Sequence, residues 1–244
     1  MVIRLYKTGY KYSEEGQVSS MFFLEPVIKR TRNGSYGNNN WFSYSPRLKR
    51  NVYLYSDLEF DHWILIENDK NIKAFCEQPL HVNEVVDGEL INTIFDMWYL
   101  TNKGDHLFVE VKYSSELDPL HPDYSLRSVK QIEKQKKWCQ VKGYEHEVHT
   151  DHYIYKDKLL LRNYKKMMPY IDDRRQKKEM DYLSIKSFLM KNGRSKIGMI
   201  ENAHHEISRH RIRDAIYNMI YEQVLCANLS EVDLGKELEV WFYE

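Results

Sequence analysis

The chain has 244 residues, 42% hydrophobic and 30% charged, with 36 Lys/Arg balancing 36 Asp/Glu. That length suits one large domain, or a medium domain plus a small one. No stretch approaches the ~18 apolar residues of a membrane span, and the opening MVIRLYKTGYKYSEEG lacks a signal-peptide core. Three widely spaced cysteines, Cys76, Cys139 and Cys226, argue against a disulfide framework or a zinc ribbon and suit a reducing cytoplasm.

Zero net charge does not announce a nucleic-acid binder, but the distribution is uneven. Residues 1–50 carry nine basic side chains against three acidic, residues 51–170 carry 15 against 20, and residues 171–244 carry 12 against 13. A basic front end before an acidic middle suits a DNA-gripping arm ahead of a metal-binding core. A solvated N-terminus gives the same pattern.

In chain order, residues 1–50 read as an irregular basic arm, with TRNGSYGNNN a Gly/Asn-rich loop. Phe22, Phe23, Trp41, Phe42 and Tyr44 are interleaved with basic residues, of which Arg30, Arg32, Arg47, Lys49 and Arg50 are candidate DNA contacts. The same aromatics could pin an extended arm onto the domain. Tyr53–Tyr55 reads as a short strand, and Ser56 opens a helix over SDLEFDHWILIEND. NIKAFCEQPLHVNEVV reads as a strand interrupted at Pro79, Asp87-Gly88 as a hairpin turn, and ELINTIFDMWYL as the return strand. Asn102-Lys103-Gly104 turns again into the strand HLFVEVKY. A two-proline loop follows, then a helix over Ser128–Lys142 stopped by Gly143, and a strand within HEVHTDHYIYK. The charge run IDDRRQKKEM marks a domain boundary. Beyond it, Tyr182–Met190, Ile197–Ala203 and Ile207–Leu225 read as helices, closed by a β-hairpin in the tail. That is the pattern of a winged helix-turn-helix.

The chemistry concentrates at Asp96, Glu110 and Lys112. Both motifs, Phe95-Asp96 and Val109-Glu110-Val111-Lys112, fall on predicted strands joined by a short turn. Strand alternation puts Glu110 and Lys112 on one face and Val109 and Val111 on the other. Carboxylates set among Phe and Val need compensation, and a cation beside a lysine supplies it. Hard oxygen donors without a Cys or His cage point to Mg²⁺ or Mn²⁺, with the Val111 carbonyl a further ligand. Such an ion suits phosphodiester hydrolysis, with Lys112 holding the attacking water or stabilising the transition state. The bland alternative is a strand-end Asp beside a surface Glu–Lys cross-strand pair. Glu59 is the candidate third acid, but Ser56-x-x-Glu59 also matches a capping box.

These segments, taken in order, resemble TnsA, the endonuclease subunit of heteromeric bacterial transposases. YLYSDLEFDHWILIE resembles the family's Ser-Asp-Leu-Glu helix, IKAFCEQPL its strand ending in Glu-Gln-Pro, and TIFDMWYL and LFVEVKY its acid strand and x-Val-Lys strand; VKGYEHEVHTD resembles its late helix-to-strand passage. The match spans residues 50–152. The resemblance implies an α/β fold: a restriction-endonuclease-like mixed-sheet core flanked by helices over 51–170, with a winged-helix domain over 171–244 behind the basic arm of 1–50. It implies Mg²⁺-dependent cleavage of the 5′ strands at transposon ends in double-stranded DNA. The implied partners are a TnsB-like recombinase and a TnsC-like AAA+ ATPase regulator, in the cytoplasm, away from membranes. Carried over by position, Glu59 is the helix acid, Asp96 the central ligand, Glu110 a metal-side ligand and Lys112 the catalytic lysine, with Gln78 shaping the pocket.

His146, His149 and His152 are spaced by three but alternate unevenly on a strand, which argues against a histidine metal site. Arg209, Arg211 and Arg213 open the long C-terminal helix, where a recognition helix would meet DNA; a solvated face is the alternative. Two other functions fit the same core: a stand-alone restriction or repair nuclease, and a non-catalytic DNA-binding adaptor.

Overall fold

The computed structural model describes residues 24–27, 39–171 and 179–243. These form an α/β structure with a mixed sheet. Trp41–Ser45 (β1) and Arg50–Leu54 (β2) pair as an antiparallel hairpin. Val52 and Leu54 alternate inward into the core, and Ser45 is buried beside them. The hairpin crosses the expected boundary at residue 50, because aromatic WFSYS is half of a strand pair and not part of an irregular arm.

Ser56 caps the helix α1 (Asp57–Asn68), its hydroxyl accepting the Glu59 N–H at 3.1 Å. Arg47 closes the other end, donating to the Asp69 and Ile72 carbonyls at 3.0 and 2.7 Å. β3 (Ile72–Glu77) follows, then β4 (His81–Val86) and β5 (Glu89–Ile94), a separate hairpin turned by Asp87 and Gly88 with φ of 49° and 79°. β6 (Met97–Thr101), β7 (His106–Lys112), α2 (Leu126–Lys142) and β8 (Glu145–Thr150) complete the core. Ser125 caps α2, and left-handed Gly143, at φ 73°, ends it.

The central sheet has the order β3-β6-β7-β8. Its first three strands are antiparallel, and β8 joins parallel to β7 after the α2 crossover. ELINTIFDMWYL is therefore not one return strand. It breaks at Phe95-Asp96, and its halves pair with different partners: β5 with β4, β6 with β3 and β7. Pro79 ends β3 and sends β4 out of the sheet, so β5 leaves with it, while Phe95 is fully buried at the junction. Asp96 consequently lies between strands and not within one.

The sheet has two covered faces. Leu107, Val109 and Val111 share a core with Leu58, Trp63 and Ile66 of α1. Phe108 packs with Phe95, Trp138 and Cys139 on the α2 side. Glu110 alternates onto that second face.

After α3 (Asp151–Ile154) and α4 (Lys158–Met167) come α5 (Glu179–Asn192), β9 (Ser195–Lys196), α6 (Ile197–Ala203), α7 (Arg209–Tyr221), β10 (Leu225–Ala227) and β11 (Glu239–Phe242). The small sheet has the order β10-β11-β9. α7 is shorter than the expected Ile207–Leu225 at both ends, since Ser208 caps its start and the chain turns at Glu222. A third core gathers Ile185, Ile200, Ile212, Ile216 and Val240, and Met167 of α4 belongs to it. α4 thus serves both sides of the expected 170/171 boundary. Most of the charge run expected there, residues 172–178, lies outside the described residues. Buried Glu67 on α1 also spans it, accepting from Ser45 Oγ at 2.6 Å, the Arg47 N–H at 3.1 Å and Tyr221 Oη of α7 at 2.5 Å. Among the described residues, no helix is long and apolar enough to cross a membrane.

Candidate active site

Asp96, Glu110 and Lys112 come together at one end of the central sheet. The Val111 N–H donates to Asp96 Oδ2 at 2.8 Å, which places this carboxylate against β7. Glu110 is fully buried, and Lys112 Nζ donates to its Oε1 at 2.6 Å. The pair shares one face of β7, as alternation requires, but it is not a surface pair: the Lys112 side chain is only 17% exposed.

The electrostatics follow from this crowding. Burial, and next the neighbouring charge of Asp96, push the Glu110 carboxyl up to about 8. Burial acts to lower the Lys112 pKa, but Asp96 and Glu110 outweigh it, so the ammonium is held above its ordinary value. A neutralised acid beside a fixed cation is an arrangement that an additional positive charge would ionise.

Glu59 stands one link away. Its Oε2 accepts from the Tyr55 N–H at 3.2 Å and from Gln78 Nε2 at 3.1 Å, and its Oε1 from Ser56 Oγ at 3.3 Å. The capping geometry and the tie to the site therefore coexist. Gln78 makes the connection: its own N–H donates to the Asp96 carbonyl at 3.0 Å, and its carbonyl accepts from the Val27 N–H at 2.8 Å. Gln78 holds φ at 37°, left-handed for a side chain that prefers otherwise, immediately before Pro79. Strain of this kind persists only where several bonds over-determine the position, as here. Among the described residues, no group of three or more His, Cys, Asp or Glu side chains is arranged to hold a metal ion. Glu59 is linked to the Asp96 main chain through Gln78.

Two residues that the sequence reading missed complete the site. Gln131 Nε2 donates to Glu110 Oε1 at 2.7 Å, and Gln135 Nε2 donates to Glu110 Oε2 at 2.6 Å. Within QIEKQKKW they pass for a solvated face. The signal was the helical stripe Ser128, Gln131, Gln135, Trp138, uncharged throughout and facing the sheet.

The basic candidates divide. Arg30 and Arg32 lie outside the described residues. Arg47 caps α1, and Arg50 forks onto buried Glu77 at 2.6 and 2.7 Å. Lys49 is exposed at the β1–β2 turn with φ 54°. Arg211 engages Asp181 at 2.6 Å, Arg213 engages Glu201 at 2.6 Å, and Arg209, 75% exposed, lies 3.9 Å from Glu201. Among the histidines, His149 Nδ1 meets His62 Nε2 at 2.8 Å and its Nε2 meets Glu147 at 2.7 Å, while His146 Nε2 lies 3.3 Å from Gln135 Oε1.

The donor set fits a hard divalent cation: two carboxylates, one of which raises the pKa of the other, and a main-chain carbonyl between Glu110 and Lys112, with no sulfur among the described residues of the site. Models of protein families were compared with the chain and none matches. Curated protein sequences give no match either.

Proposed function

We propose that the chain is a divalent-cation-dependent DNA endonuclease, the TnsA-like subunit of a heteromeric transposase that hydrolyses the 5′ strands at transposon ends. The observation that carries this reading is the anchoring of Asp96 to the Val111 amide beside the buried Glu110–Lys112 pair. Asp96, Glu110 and the Val111 carbonyl would hold Mg²⁺ or Mn²⁺, with Glu59 bearing on them through Gln78. When bound, such an ion supplies Lewis-acid stabilisation of phosphate charge and a more acidic water. The protein's own part is to hold Asp96 against β7, to keep Lys112 charged across the working pH range, and to present that charge where negative charge grows on the phosphate.

The mixed sheet with its α2 crossover supports a restriction-endonuclease-like core. The order α5-β9-α6-α7-β10-β11, with β9 pairing β11, supports a winged helix. On this reading the double-stranded DNA of the transposon ends is the substrate, and a TnsB-like recombinase and a TnsC-like AAA+ ATPase are the partners. Exposed Arg209, at the start of α7, is the basic side chain of that helix best placed to meet a phosphate.

The test is cleavage of transposon-end DNA with the partners present, comparing wild type with Asp96→Ala. Loss of 5′-strand cleavage in the variant supports the reading, and equal cleavage by both removes it. A second reading, a non-catalytic adaptor, is favoured by the internal hydrogen bonding of Glu110; Asp96→Ala with undiminished transposition would select it.

A further inference from the structure

We infer that Gln131 and Gln135 are positioning residues, two amides about one helical turn apart on α2 that fix the carboxylate plane of Glu110 and leave it one free lone pair. This rests on reading the site as a metal centre. Glu110 Oε1 is taken by Lys112 at 2.6 Å and Gln131 at 2.7 Å, and Oε2 by Gln135 at 2.6 Å. A carboxylate offers about four acceptor positions. Among the described residues three are filled, so the fourth, on Oε2, is what Glu110 can offer a cation.

The orientation of Gln135 is itself determined. Its Nε2 spends one hydrogen on Glu110 and the other on Thr93 Oγ1 at 3.1 Å. Its Oε1 lies 3.3 Å from His146 Nε2, and the Nε2–H tautomer of that ring donates there. Flipping the amide would set its oxygen against the ionised Glu110 carboxylate, and Gln135 is fully buried. Groups that orient a ligand in this way typically govern metal affinity by about 10–100-fold.

The experiment titrates full-length protein with Mn²⁺, comparing wild type with Gln131→Met and Gln135→Met, which keep the length but cannot donate. Gln140→Met, exposed on the same helix, controls for substitution in α2. The expected result is a Mn²⁺ dissociation constant about 10–100-fold higher in the two Met variants and unchanged in the control. In nicking assays the Mn²⁺ needed for half-maximal rate should rise in step, with KM for DNA unmoved. If Gln135→Met does not fold, half-buried Gln131 carries the test alone. Wild-type affinity in variants that fold overturns the inference and leaves the metal centre standing. A wild type that binds no Mn²⁺ overturns the metal centre, and this inference with it.

Discussion

The Asp96 carboxylate accepts the Val111 backbone N–H at 2.8 Å. A side chain at the break between β5 and β6 is thereby tied to the main chain between Glu110 and Lys112, and the acid cannot swing away without leaving a buried amide unpaired. Asp96→Asn keeps an oxygen for that amide and removes only the charge. The variant should melt within a few degrees of wild type yet lose more than about 100-fold in nicking rate, beyond the loss usual for groups that only support a ligand. Nicking within tenfold of wild type would show that the Asp96 charge has no part in the chemistry.

Glu110 makes the cation-free protein less stable as pH rises from the ordinary carboxylate range to about 8. Its folded-state pKa, about 8, lies above the ordinary 4.5 because of burial and Asp96. A raised pKa contributes stability that is whole below the unfolded value and is lost as pH rises through the folded one. Urea midpoints without divalent cation should fall from pH 4.5 to about 8 more steeply in wild type than in Glu110→Gln, and run parallel above that. Curves parallel over the whole range would mean that Glu110 is already ionised at neutral pH.

Arg50 looks in the sequence like a DNA contact, but it completes the fold. Its guanidinium forks onto Glu77, whose side chain is wholly buried. Removing one partner of such a pair strands the other charge, so Arg50→Met should cost about 3 kcal/mol in urea denaturation. Unchanged stability together with weaker DNA binding would return Arg50 to the DNA-contact class.

The pair His62–His149 acts in the opposite sense to Glu110. Burial lowers the pKa of both, well below the ordinary 6.5 for His62. Glu147 accepts from His149 Nε2, so His149 Nδ1 is the acceptor and His62 Nε2 the donor; His62 Nδ1 is buried without a hydrogen-bond partner among the described residues. Stability from these rings is complete above the unfolded value and drains away as pH falls below it. Wild type should lose urea resistance from pH 7 to 5 faster than His62→Leu. Equal losses would exclude the pair as the acid-labile element.

Local signals carried much of this structure. Ser56 and Gly143 bound helices where capping chemistry placed them, and Asp87-Gly88 turned the expected hairpin, because each acts on its own backbone; α2 starts at Leu126, capped by Ser125, two residues before the expected Ser128. The E-x-K strand was legible for the same reason, since alternation is a property of one strand. The break at Phe95-Asp96 was not, because an alternating apolar run is the same whether its strand keeps one partner or changes to another. Gln131 and Gln135 stayed hidden because polar residues on a helix identify themselves only through what they face, and that depends on β7. Glu59 was readable as either a cap or a site residue, and the left-handed Gln78 that reconciles the two has no sequence signature short of its proline.

Glu59 and Glu67 are eight residues apart on α1, about 12 Å along its axis at 1.5 Å per residue. The first is tethered to Gln78, and the second to the hydroxyl of Tyr221 on α7. A helix of that length does not flex appreciably, so it behaves as a rigid rod pinned at both ends. A displacement of α7 would therefore be felt along α1 at Glu59 and Gln78, with no intervening loop to absorb it.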